Sequence, residues 1–242
     1  MDIKVLKERE IYNEIAKDII DLINDKHDCV LGLATGSTPL GIYKNLQESY
    51  LKGEVSFKDV RTFNLDEYVG LKNEHPQSYY MFMRNNLFDK IDINLNNVHF
   101  PSGKTNEELQ NYDLEIEKNG GIDFQILGIG SNGHIAFNEP GTPFSSMTHF
   151  VKLKDSTRID NSRFFNSIDE VPTHAITMGL QTIMKAKRIV LIALGENKSE
   201  AIFRLFNETQ NEDLPASILL SHPNVTIYCD ENASKKIVGK RR

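Results

Sequence analysis

The sequence predicts an α/β fold built on an open, mostly parallel sheet covered on both faces. Short, continuously apolar runs alternate with helical patterns along the whole chain, as expected of parallel strands joined by crossover helices. A length of 242 residues, 39% hydrophobic and 26% charged, suits a soluble globular protein with a sizeable core. No internal repeat, low-complexity stretch or Gly/Ser linker divides the chain, so residues 1–242 are read as one domain.

Taken in order, Ile11, Ile15, Ile19, Ile20 and Ile23 recur at helical spacing and predict an amphipathic first helix. CVLGLA (29–34) is a strand, and TPLGIYKNLQESYL follows as a helix with Pro39 near its start. VRTFN (60–64) is a second strand, SYYMFMRNNLF (78–88) a helix and NEELQNYDLEIEK (106–118) another. The strand DFQILGI comes next. RIVLIAL (188–194) and VTIYC (225–229) are further strands, separated by the helical pattern KSEAIFRLFNE. The stretch from about 141 to 169 is polar, weakly patterned and interrupted by Pro143. Loops of that length are often lids, and a lid segment is expected at about 151–173.

Composition excludes several classes. Net charge is −6, and basic residues cluster only at Lys235–Lys236 and in the terminal KRR, which argues against a nucleic-acid partner. The N-terminal stretch is charged throughout, unlike a signal peptide, and no apolar run approaches a membrane span. A cytoplasmic location is therefore expected. Cys29 and Cys229 each lie in an apolar run and read as buried thiols in neighbouring strands.

Three segments leave strands while carrying polar groups, where open α/β sheets bind ligands. In ATGSTPLG (34–41), Gly36 permits an unusual turn, and Thr35, Ser37 and Thr38 stand at a helix start that suits a phosphate. A plain helix N-cap explains the same hydroxyls, and no Lys follows the glycine as a Walker loop requires. In TFNLDEYVG (62–70), Asp66 and Glu67 follow an apolar strand, where a carboxylate can act as a general base or merely mark a surface turn. In LGIGSNGHIAFNEP (127–140), Gly128, Gly130 and Gly133 match the dinucleotide spacing G-x-G-x-x-G. A dinucleotide turn should open a long helix and be followed by an acidic residue about 20 positions on. Here Pro140 halts any helix and no such carboxylate follows. The loop instead presents Asn132, His134 and Glu139, a histidine that a carboxylate could orient. The other histidines show no metal-site spacing, so a metal is not expected.

Together ATGSTP, TFNLDEYVGL, HPQSYYMFM, LGIGSNGHIAFNEPG and NSRFF closely resemble the glucosamine-6-phosphate deaminase family, in order from about Leu31 to Asp230. The resemblance implies a Rossmann-like three-layer fold with no nucleotide, metal or organic cofactor. It implies conversion of glucosamine 6-phosphate and water into fructose 6-phosphate and ammonia. His134 then matches the residue that opens the sugar ring, oriented by Glu139 and Asn132, and Asp66 the base that moves a proton from C2 to C1. Many members carry Asp where this chain has Asn132, so the imidazole here must lean on Glu139 for charge. Gly36, Ser37 and Thr38 match the phosphate loop, and Arg163 and Lys198 its cationic partners.

Two alternatives compete. The related 6-phosphogluconolactonases are expected to lack the combination of FNLDEYVGL and AFNEP. A sugar-phosphate sensor would need a DNA-binding module, and residues 1–28 hold one helix without a helix-turn-helix pattern. Some members of the resembled family are hexamers activated through a basic pair that aligns with His149 and Val151 here. Val151 carries no charge, and the longer C-terminal segment of those members is absent. A non-allosteric monomer or small homo-oligomer is expected, with a small-molecule substrate and neither nucleic acid nor membrane as partner.

Overall fold

In the computed structural model, which describes residues 1–153, 159, 165 and 167–238, the chain opens with β1 (Asp2–Val5), α1 (Glu8–Asp25), β2 (Val30–Leu33) and α2 (Leu40–Leu51). It continues through β3 (Arg61–Asn64), β4 (Asp66–Tyr68), α3 (Tyr79–Asn86), β5 (Val98–His99), α4 (Asn106–Lys118) and β6 (Phe124–Gly128). Then come β7 (His149–Lys152), β8 (His174–Thr177), α5 (Leu180–Ile183), β9 (Ile189–Ala193), α6 (Ser199–Asn207), β10 (Val225–Cys229) and α7 (Glu231–Val238).

Seven strands pair in the order β1-β10-β9-β6-β2-β3-β5, every pairing parallel. VLGL, IVLIA and VTIYC are buried along their whole length, as strands with both faces covered must be. In α1, Ile11, Ile15, Ile19 and Ile23 are almost fully buried, each stabilising the fold by about 1.5–3 kcal/mol. That helix packs beside α2, and α6 beside α7. Among the described residues no helix is long and apolar enough to cross a membrane.

Strand order decides where a ligand can sit. From β2 the chain builds outward to β3 and β5 on one side, then returns to place β6, β9 and β10 on the other. The winding therefore reverses between β2 and β6, and a crevice opens at the carboxyl ends of strands at such a point. The turns after Leu33 and Gly128 flank that crevice.

Two expectations need correction. Cys29 and Cys229 are buried, and burial pushes both thiols up to about 12, but they are not in neighbouring strands. Cys29 leads into β2, which β6 and β9 separate from β10. The stretch 141–169, read as weakly patterned, contains β7, part of a separate antiparallel sheet in the order β4-β8-β7. These three- and four-residue strands are too short for a periodic signal, and their pairing joins residues far apart in sequence, such as Asp66 with Thr177. Tyr68, Leu153 and Ala175 form its own small core with Leu71, Tyr79, Phe137, Val151 and Phe165. The lid expected at about 151–173 begins in β7, and most of its middle lies outside the described residues.

Candidate active site

Asp66 opens a strand of its own rather than lying in a surface turn. The backbone is held on both sides: Leu65 N–H donates to Leu33 O at 3.1 Å, and Met178 N–H donates to Leu65 O at 2.7 Å. With a relative exposure of only 7%, the Asp66 carboxyl has little water to solvate its charge. Burial first, and the neighbouring Glu67 second, raise it from 3.8 to about 8. A buried carboxyl so raised is suited to general-base work near neutral pH. Glu67 is also buried and accepts three backbone N–H bonds, from Tyr68, Tyr79 and Tyr80.

The glycine-rich segment after β6 turns into a loop with an isolated bridge between Ile135 and Asn138, and no helix follows. Its glycines place a histidine. Gly130 N–H donates to His134 O at 2.9 Å and Gly133 N–H to Gly130 O at 3.0 Å, closing the turn. A Cβ on Gly130 would come within 2.2 Å of His134 Cε1 and 2.3 Å of Nδ1, so the imidazole packs directly on bare backbone. Gly133 has φ +86° and leaves no room for a side chain against Leu214.

Asn132 links the two ionisable groups. His134 Nδ1 lies 2.7 Å from Asn132 Oδ1, which also accepts the His134 backbone N–H at 3.2 Å, while Asn132 Nδ2 donates to Glu139 Oε2 at 2.7 Å. These partners fix the amide orientation: its oxygen meets two nitrogens and its nitrogen meets a carboxylate. The ring proton therefore sits on Nδ1, leaving the Nε2 lone pair to accept a proton. Glu139 Oε1 stands 3.7 Å from Nδ1, close enough to favour the imidazolium electrostatically.

Residues that sequence reasoning did not single out tie these two halves together. Thr177 pairs with Asp66 in the small sheet, and its Oγ1 accepts Phe137 N–H at 3.1 Å. Met178 O accepts from Asn138 Nδ2 at 2.9 Å, and Asn138 also donates to Ile135 O. The end of β8 thus grips the strand of Asp66 on one side and the His134 loop on the other. HAITMG offered no chemical signal, since its contribution is backbone and one hydroxyl. Ala136, in the gripped loop, is held at φ +50°, the one non-glycine residue with positive φ among those described.

At the turn after β2, Gly36 has φ +84° and faces open space. Pro39, not Ser37 or Thr38, occupies the cap position of α2, and no side chain caps that helix. Pro39 thus precedes the helix instead of lying inside its first turn. Among the described residues the backbone N–H groups of Gly36, Ser37 and Thr38 donate to no protein acceptor, which leaves three donors for an anion. Lys198, half-buried, ends a short 3-10 turn that follows β9, the strand beside β6. Arg163 lies outside the described residues. Among those residues no group of three or more His, Cys, Asp or Glu is placed to hold a metal ion.

Comparison with known proteins places the chain in a family. Residues 7–228 match the family described as glucosamine-6-phosphate isomerases/6-phosphogluconolactonase. The chain is 56% identical over 219 residues to the glucosamine-6-phosphate deaminase of Lysinibacillus sphaericus, covering 89% of this chain and 92% of that one. It is 52% identical over 233 residues to that of Thermoanaerobacter pseudethanolicus, covering 93% and 92%. A solved monomeric glucosamine-6-phosphate deaminase superposes with a TM-score of 0.93 at 42% identity, over 98% of this chain and 100% of that one. The chain therefore belongs to the family of glucosamine-6-phosphate isomerases and 6-phosphogluconolactonases.

Proposed function

We propose that this protein is a glucosamine-6-phosphate deaminase, converting glucosamine 6-phosphate and water into fructose 6-phosphate and ammonia. The observation that carries the reading is the pairing of a buried, high-pKa Asp66 with the His134–Asn132–Glu139 chain, both gripped by the end of β8. The family description covers deaminases and lactonases alike, and relatives above 50% identity that bear the deaminase name favour the former.

In this reading His134 Nε2 takes the proton of the anomeric hydroxyl and passes it to the ring oxygen, opening the sugar. Glu139, through Asn132, steadies the imidazolium formed on the way. Asp66 removes the C2 proton; the C–H electron pair forms the C1=C2 bond as the aldehyde oxygen takes a proton from the substrate's ammonium group, giving an enolamine. Asp66 then returns its proton to C1 while the nitrogen lone pair forms C2=N. Water adds to this iminium at C2, a proton passes from the added oxygen to nitrogen, and ammonia leaves as the remaining hydroxyl gives up its proton to form the ketone. Only protons, water and ammonia move, so the route calls on no redox or metal group. Gly36, Ser37 and Thr38 cradle the phosphate by backbone N–H, with Arg163 and Lys198 as its cations.

The reading extends to a cytoplasmic enzyme, one domain over residues 1–242, with a substrate-covering segment at about 151–173. It also includes hyperbolic kinetics in a monomer or small homo-oligomer. His149 Nδ1 already faces Met147 O, and Val151 packs into the small core, an arrangement poorly suited to gripping an activator phosphate.

A coupled assay for fructose 6-phosphate and ammonia tests the activity. Turnover of a 6-phosphogluconolactone in its place would overturn it. Lys198→Ala and Arg163→Ala are each expected to raise KM about 10- to 100-fold, the range for one charge-assisted contact. Equal turnover of glucosamine and its 6-phosphate would remove the phosphate assignment. Gly130→Ala is expected to displace the imidazole and reduce turnover by about 10²-fold. Thermal unfolding checks that the fold survives, and unchanged turnover in a folded variant would show that the ring is not held by this contact.

A further inference from the structure

Glu67 stands next to the proposed base and has no part in the route above. It is buried, and among the described residues no Lys, Arg or His pairs with it. A buried carboxylate without a cation normally takes up a proton. Burial does raise the Glu67 carboxyl above its ordinary value, but three backbone N–H groups oppose the rise: Tyr68 at 2.8 Å, Tyr79 at 2.9 Å and Tyr80 at 2.9 Å. The last two belong to the first turn of α3, whose dipole presents positive charge to the carboxylate. Ser78 Oγ satisfies the next N–H, Met81, at 3.0 Å. The helix start thus has a conventional hydroxyl cap as well as a buried anion.

The surroundings of Asp66 give that anion a use. Across the small sheet it meets uncharged Thr177. Tyr79 of α3 and Tyr112 of α4 act on it electrostatically, but burial holds both phenols neutral. From the described residues, the charge acting on Asp66 is that of Glu67. Successive side chains along a strand point to opposite faces, so Glu67 can bind α3 while Asp66 faces the other way.

We propose that Glu67 is a positioning residue for this reaction: anchored on the start of α3 as a lasting anion, it fixes the backbone of β4 and keeps a negative charge beside the reacting carboxyl. The proposal rests on the deaminase reading. The Glu67 charge adds to burial, the larger cause, in making Asp66 a stronger base, because a neighbouring like charge makes the carboxyl hold a proton more firmly. Glu67 touches no substrate and acts through Asp66 alone.

The pH profile of kcat/KM tests it in Glu67→Gln, which keeps size and removes charge. The acid limb is expected to move down by roughly one pH unit. Ser78→Ala weakens the same helix start without altering charge and is expected to leave the limb in place. The amine and phosphate of the substrate titrate identically with every variant, so only differences between variants are read. A limb unmoved in Glu67→Gln, or moved equally in Ser78→Ala, would overturn the proposal. Carboxyl 13C NMR of the unaltered protein adds a measurement free of folding defects. Glu67 is expected to stay ionised through the range in which Asp66 titrates, and Asp66 ionising first would overturn the assignment. Absence of deaminase activity in the unaltered protein would remove the reading itself, while the carboxyl titration would still report on the Glu67–Asp66 pair.

Discussion

Replacing Asp66 by asparagine is expected to lower turnover of glucosamine 6-phosphate by at least about 10²–10⁴-fold, the usual contribution of a positioned acid–base group. The amide keeps the size and much of the polarity of the carboxyl, so KM should change far less than kcat. The unaltered enzyme needs the ionised form, so kcat/KM is expected to rise with pH toward the carboxyl's raised value of about 8. Stability moves the other way. Because the folded state holds this proton up to about 8 and the unfolded chain releases it near 3.8, folding takes up a proton in between. The stability conferred by the protonated form is therefore complete below about 3.8 and is lost as pH rises to about 8. Asparagine cannot ionise, and the variant is expected to be the more stable protein at pH 8, by an amount on the order of a few kcal/mol. Denaturant unfolding at pH 5 and pH 8, beside the rate assay, checks both halves. A variant that retained near-parental turnover would show that the base lies elsewhere.

The second large effect is expected at His134. Glutamine can hydrogen-bond to Asn132 but cannot carry a proton from the anomeric hydroxyl to the ring oxygen. Turnover of the cyclic substrate should therefore fall by about 10²–10⁴-fold. Exchange of the C1 hydrogen of open-chain fructose 6-phosphate, assayed with ammonium present, is expected to fall much less, because that step belongs to Asp66. Deuterium incorporation from solvent, followed by NMR, separates the two. Equal losses in both assays would refute a ring-opening role. The hydrogen bonds refine what a histidine flanked by Asn132 and Glu139 implies. Asn132 passes orientation to the ring without adding a second negative charge, and the charge stands one residue further out, at 3.7 Å.

Much of the framework was legible from local pattern. The isoleucine stripe of α1, the whole span of α4 and the apolar runs of β2, β6, β9 and β10 all correspond to observed elements, with boundaries off by a residue or two at most. The spacing of Gly128, Gly130 and Gly133 opens a loop and not the long helix of a dinucleotide turn, as Pro140 led one to expect. The structure adds what two of those glycines do: Gly130 gives the imidazole a bare surface to lie on, and Gly133 adopts a backbone angle that few other residues tolerate. The small sheet was not legible. A run such as HAIT or DEY carries too few residues for a period to emerge, and its partners lie far along the chain.

The sequence by itself determined the longer helices, the buried strands of the large sheet and which residues are candidates for chemistry, because periodicity and motif spacing are written among near neighbours. Only the tertiary structure decided that Thr177 and Met178 join Asp66 to the His134 loop, that β6 and β9 keep the two cysteines apart, and that Glu67 lies on the first turn of α3. It also decided that the Asp66 carboxyl is buried and raised to about 8 instead of being an ordinary surface acid. Strand order, desolvation and the field at a carboxyl are sums over atoms brought together from distant parts of the chain, and no local window of sequence contains those sums.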